Sequence, residues 1–117
     1  MRVLVVEDEK KVASFIQSAL EQEGYAVDEA RDGTDALRYL TSRPAPPLIL
    51  LDWNMAPMSG PQFMEEVKKQ SLGKLAVVLL TADARVEDKV KTGDYVGFLK
   101  KPVKLEALFA LLEQHVV

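Results

Sequence analysis

Leu48-Ile49-Leu50-Leu51-Asp52 is the stretch on which the fold turns: four aliphatic residues in a row, cut off by a carboxylate. A strand with one wet face alternates apolar and polar residues. An unbroken apolar run of this length reads instead as a strand covered on both faces, as in a parallel sheet with helices on either side. The same signature lies on both sides of it. Val3-Leu4-Val5-Val6 runs into Glu7-Asp8, and Leu75-Ala76-Val77-Val78-Leu79-Leu80 runs into Thr81. Tyr25–Ala30 is more polar and suits an edge strand, and Val96-Gly97-Phe98-Leu99-Lys100 reads as the fifth strand.

Helical spacing fills the intervals. Val12, Ala13, Phe15, Ile16, Ala19 and Leu20 share one face of a first helix, which Gly24 ends at the position where a left-handed backbone is easiest. Asp32-Gly33-Thr34 turns the chain into a second helix carrying Ala36, Leu37 and Leu40, closed by prolines 44, 46 and 47. After a loop over 53–60, Pro61 opens a third helix with Phe63, Met64 and Val67. A weak fourth helix is expected around Val86 and Val90, stopped by Gly93. A fifth carries Leu105, Leu108, Phe109, Leu111, Leu112 and Val116. Strict alternation of strand and helix implies right-handed crossovers, a parallel five-stranded sheet and helices on both faces.

The 117 residues suit one domain. Net charge is −3 without a basic run, so no electrostatic footprint for direct nucleic-acid binding exists. Cysteine is absent, which excludes disulfides, thiolate metal sites and thiol catalysis. No apolar stretch approaches the roughly 20 residues of a membrane span, and the four apolar residues Val3–Val6 are too few for the apolar region of a signal sequence. A soluble, cytoplasmic protein without membrane partners is expected.

Open parallel sheets bind ligands beyond the carboxyl ends of their strands. Those ends here carry Glu7 and Asp8, Asp52, Thr81, and Lys101 before Pro102. With the flavodoxin-like, doubly wound strand order 2-1-3-4-5, three carboxylates from distant sequence converge, flanked by a lysine and a hydroxyl. Clustered carboxylates repel unless a proton or cation intervenes, and a hard divalent ion such as Mg2+ suits such oxygen ligands. Asp8 and Asp52 are the expected direct ligands, with the longer Glu7 acting through water. A carboxylate so placed can attack phosphorus to form an acyl phosphate.

These pieces resemble the response-regulator receiver domain of bacterial two-component signalling, chemotaxis-regulator-like in form. The matching segments are Val5-Val6-Glu7-Asp8-Glu9, Leu50 to Met55 with Gly60, Leu80-Thr81-Ala82, and Phe98 with Lys101-Pro102. The resemblance covers essentially the whole chain, so residues 1–117 are expected to form one receiver domain with no output domain. It implies that Asp52 is the phosphorylation site and that Glu7, Asp8, Asp52 and the backbone carbonyl of Asn54 serve Mg2+. It further implies that Thr81 and Lys101 contact the phosphoryl group and that Thr81 and Phe98 act as a switch. Asn54 and Asp83 would tune dephosphorylation, and the Lys101–Pro102 peptide bond would be cis. The expected donor is a histidine kinase or histidine phosphotransfer protein. An unknown downstream protein would read the surface of the fourth helical segment, fifth strand and last helix. The chain would be a regulator and no enzyme beyond self-phosphorylation and autodephosphorylation.

Departures from the family pattern fall mostly outside the acidic pocket. Ala56 stands where proline is usual and Pro57 follows; the interval from Thr81 to Lys101 is about two residues short. Gly93-Asp94-Tyr95 replaces the usual Gly-Ala pair, and Glu7 replaces the commoner aspartate. Simpler roles stand beside the chemical ones. Asp8 and Thr81 each fit a helix cap, Phe98 fits plain core, Lys100 competes with Lys101, and Trp53 reads as a partly exposed loop side chain. The alternative function is a phosphorylation-independent adaptor. An aspartate phosphohydrolase would want an acid where Asn54 stands, and a flavin site would not place acids in its phosphate loop.

Overall fold

The computed structural model describes residues 2–44, 46, 48–55, 58–72, 75–83, 85–89 and 92–115, with Glu87, Thr92 and His115 described by backbone alone. Five strands, β1 (Arg2–Val6), β2 (Ala26–Ala30), β3 (Leu48–Asp52), β4 (Val77–Thr81) and β5 (Gly97–Lys100), form one sheet. The sheet is wholly parallel, in the order β2-β1-β3-β4-β5. Among the described residues four α-helices pack on it: α1 (Lys10–Gln22), α2 (Gly33–Ser42), α3 (Gly60–Lys69) and α4 (Leu105–His115).

The continuous apolar runs are covered on both faces. Leu4, Val6, Ile49, Leu51, Val77 and Leu79 pack with Ala36, Leu40, Phe63, Met64 and Val67 of α2 and α3. The alternate residues Val3, Val5, Leu48, Leu50, Val78 and Leu80 pack with Ile16, Leu20, Leu108 and Leu112 of α1 and α4. Because side chains alternate along a strand, one run serves two layers. β2 is an edge strand and the most polar one, with Asp28 and Glu29 half-buried.

Helix ends follow local chemistry. Gly24 takes φ of 90°, and the N–H groups of Gly24 and Tyr25 donate to Glu21 and Leu20 carbonyls, closing α1. Asp32 caps α2 by accepting from the Asp35 N–H at 2.8 Å. Ser59 and Gln62 form a reciprocal capping box at the start of α3, with Pro61 in its first turn. The Ser-x-x-Gln spacing carried that signal in the sequence.

The fourth crossover differs from the helix expected around Val86 and Val90. Among the described residues it consists of two single turns of 3-10 helix, Val86–Asp88 and Thr92–Asp94. Side chains there bond the local backbone, as when Asp83 Oδ1 accepts the Arg85 N–H at 2.8 Å. Such bonds offer the chain an alternative to an α-helical ladder. Val86 and Tyr95 are nonetheless buried against the α2/α3 layer. Val90, Ala56 with Pro57, Pro47 and Val116 lie outside the described residues. No described helix is long and apolar enough to cross a membrane.

Candidate functional site: an acidic pocket at the strand ends

Register explains why the acids meet. Val3 pairs with Leu48 and Val6 with Leu51, so continuing the two strands by one residue sets Glu7 beside Asp52. Both prolong the row of side chains that faces α1 and α4 lower down. Backbone bonds carry the ladder past the strands: Glu7 N–H to the Ala30 carbonyl at 3.0 Å, Trp53 N–H to Leu80 at 2.9 Å, and Lys101 N–H to Thr81 at 2.7 Å. The last of these brings the end of β5 against the end of β4. The Lys101–Pro102 bond is cis.

Carboxylate oxygens of Glu7, Asp8 and Asp52 all lie within 4.8 Å of one another. Glu7 and Asp52 are each 3% exposed, whereas Asp8 is open to solvent. The N-cap position of α1 is Glu9, and no side chain caps that helix, so Asp8 is not spent as a cap. Lys101 Nζ stands between the buried pair, 2.9 Å from Glu7 Oε2 and 3.0 Å from Asp52 Oδ1. Lys100, its competitor from sequence, is exposed at the end of β5.

One lysine does not neutralise this group. Burial, aided by the charge on Asp52, pushes the Glu7 carboxyl up to about 7, against the opposing pull of Lys101 and the Glu9 N–H. Burial alone would lower the Lys101 ammonium, but its contacts with Glu7 and Asp52 win and hold its pKa above the ordinary lysine value. Glu7 Oε1 accepts the Glu9 N–H at 3.2 Å. Glu7 Oε2 is fully buried, with the Lys101 ammonium 2.9 Å away. Three carboxylates within reach of one another, with one side open to solvent at Asp8, are what a small divalent cation requires. The residues present fit such an ion.

Thr81, 4% exposed, ends β4, and its Oγ1 accepts the Asp83 N–H at 3.0 Å. Asp83 is half-buried and turned toward Lys89, whose Nζ lies 2.6 Å from Oδ2. Asn54 sits exposed on the bend after β3. Phe98 stands apart from the acids on β5, half-buried, its ring 5.6 Å from that of Tyr95 and tilted by 50°. Trp53 is half-buried and packs against the α2/α3 core layer.

Two features of the site escaped the sequence. A Cβ on Gly60 would come within 2.8 Å of the Asp52 carbonyl oxygen, so α3 starts directly against Asp52. Lys89 is the other, since a surface lysine eight residues beyond Thr81 gives no signal until the turn folds back.

Comparison with known proteins agrees with this geometry. A family model described as the response regulator receiver domain matches residues 3–113. The phosphate regulon transcriptional regulatory protein PhoB of Escherichia coli K12 is 40% identical over 112 residues, covering 91% of this chain and 48% of that protein. The transcriptional regulatory protein TctD of Salmonella typhimurium LT2 is 41% identical over 115 residues, covering 96% and 50% respectively. The chain thus spans about half the length of these curated relatives. Among solved structures, the chemotaxis protein CheY4 of Vibrio cholerae superposes with a TM-score of 0.87 at 29% identity, with 98% of each chain covered. The response regulator TrrA of Thermotoga maritima, solved in complex with Mg2+ and beryllium fluoride, gives 0.85 at 25% identity over 98% of each chain. With a matched family profile over nearly its whole length, a sheet in the order 2-1-3-4-5 and an acidic pocket at the strand ends, this chain belongs to the response regulator receiver domain family.

Proposed function

We propose that the chain accepts a phosphoryl group on Asp52 from a phosphohistidine donor in a two-component phosphorelay, with Mg2+ held at the acidic pocket. The observation that carries this reading is the buried Glu7–Asp52–Lys101 cluster beside exposed Asp8. A fold has little structural use for two buried carboxylates sharing one lysine, because taking charges out of water costs more than such a pair returns. That argues against the adaptor alternative.

In this reading Asp52 attacks phosphorus through a side-chain oxygen, an acyl phosphate forms, and the donor imidazole leaves with the electron pair of the broken P–N bond. Asp8 and Asp52, with Glu7 through water and the Asn54 backbone carbonyl, would hold the metal. When bound, Mg2+ offsets charge on the carboxylates and the phosphoryl oxygens. Lys101, already at Asp52, supplies an ammonium to a phosphoryl oxygen, and Thr81 supplies a hydroxyl donor. Asn54 and Asp83 flank the path of the hydrolytic water and tune the lifetime of the acyl phosphate. Gain of a dianion on Asp52 would draw Thr81 and Phe98 into new positions and alter the surface of the fourth crossover, β5 and α4 for a downstream partner. A cytoplasmic location and a histidine kinase or phosphotransfer partner follow from the same reading. No enzymatic turnover of a separate substrate is involved.

The test is uptake of label from a small phosphodonor with Mg2+. Wild type incorporates label and Asp52→Asn does not; equal labelling of the two would refute the assignment.

A further inference from the structure

Phosphoryl transfer brings a dianion to the ends of β3 and β4, and every nearby carboxylate opposes it unless balanced. The acidic trio has Lys101 and the metal site to balance it. Asp83 is a fourth carboxylate, tied to the site through its backbone: its N–H donates to Thr81 Oγ1 at 3.0 Å. Its side chain is held twice, by the Arg85 N–H on Oδ1 at 2.8 Å and by Lys89 Nζ on Oδ2 at 2.6 Å. The neighbouring guanidinium acts on Asp83 through its charge alone, the weakest of the influences on that carboxyl, while Arg85 Nε pairs with Asp88 Oδ2 at 3.2 Å. Among the described residues Lys89 is therefore the sole side-chain cation ion-paired with Asp83. The Lys89 ammonium, first, and then the Arg85 N–H keep the Asp83 carboxyl below its ordinary value, so it stays charged.

We propose that Lys89 is a positioning residue for the phosphoryl site: paired with Asp83, it cancels a carboxylate charge two residues from Thr81. The inference rests on the reading of Asp52 and Thr81 given above and adds to it a specific regulator of phosphoryl affinity. The ion pair is open to solvent on the Lys89 side, with 58% of that side chain exposed against 32% for half-buried Asp83. The effect is therefore modest and sensitive to salt. It also links the first 3-10 turn, which contains no catalytic group, to the pocket through three residues in sequence: Lys89, Asp83 and Thr81.

Affinity for beryllium fluoride in the presence of Mg2+, read by 19F NMR, tests this in wild type, Lys89→Met, Asp83→Asn and the double variant. Asparagine keeps an oxygen for the Arg85 N–H and removes the charge. Lys89→Met binds the mimic about threefold more weakly at low salt, and the difference shrinks at high salt. Asp83→Asn leaves the Lys89 charge unopposed and binds the mimic no more weakly than wild type, and the double variant, with both charges gone, recovers the affinity that Lys89→Met loses. A double variant as weak as Lys89→Met, or a Lys89→Met equal to wild type, overturns the role of Lys89 while leaving Asp52 as acceptor. Failure of wild type itself to bind the mimic would instead overturn the phosphoryl site and this inference together.

Discussion

Lys101 balances two buried carboxylates, and in the proposed reaction the same ammonium would meet a phosphoryl oxygen. Lys101→Met leaves Glu7 and Asp52 buried without a counter-charge, a change that costs about 3 kcal/mol when one partner of a buried pair is lost. Urea unfolding without divalent cations should show that loss, and Mg2+ should restore more stability to the variant than it adds to wild type. A second residue-scale network sits far from the pocket. Tyr39 Oη donates to Asp28 Oδ2, Arg2 Nη1 lies 2.9 Å from the same oxygen, and the Arg43 guanidinium stacks 4.5 Å over the Tyr39 ring. The Tyr39 bond, first, and then Arg2 hold the Asp28 carboxyl below its ordinary 3.8. A depressed folded-state value contributes stability above pH 3.8 that is lost as pH falls through the folded-state value. Tyr39→Phe keeps the stacked ring but removes the hydroxyl. Its deficit, about 1 kcal/mol, should be constant at neutral pH and shrink in acid, as thermal unfolding across that range would reveal.

Elements were legible from sequence where a strong pattern had one interpretation. The unbroken runs at 3–6 and 48–51 required a buried parallel strand, and Gly24 required the end of α1. The fourth crossover was not legible. Val86 and Val90 lie four apart, a helical spacing, but Asp83 and Arg85 close a local turn and Val86–Asp88 makes one tight turn only. Propensity loses there to side-chain bonds that sequence does not announce. α3 makes the opposite point, because its capping box and Pro61 were written in the chain, yet its contact with Asp52 was not. Gly60→Ala tests that contact. The added methyl meets backbone at 2.8 Å, with Leu79 and the Trp53 Cα at 3.3 Å. Overpacking of this kind costs about 1–3 kcal/mol, and the displaced end of β3 should slow phosphoryl uptake beyond what stability alone explains. Uptake equal to wild type at a temperature where both are folded would show that the contact does not position the acceptor.

At the scale of the molecule, order 2-1-3-4-5 makes the site, since it sets β1 against β3 and so Glu7 against Asp52. Sequence supplied which acids end which strands and, through the expected order 2-1-3-4-5, their meeting; only the folded pocket disclosed that Glu7 is the buried member and Asp8 the open one. The most direct test locates the covalent bond. The protein is treated with a small phosphodonor and Mg2+, the acyl phosphate is reduced with borohydride, and peptides are sequenced by mass spectrometry. Conversion of Asp52 to homoserine is the predicted result. Homoserine at another carboxylate, or none while the donor is consumed, would contradict the account.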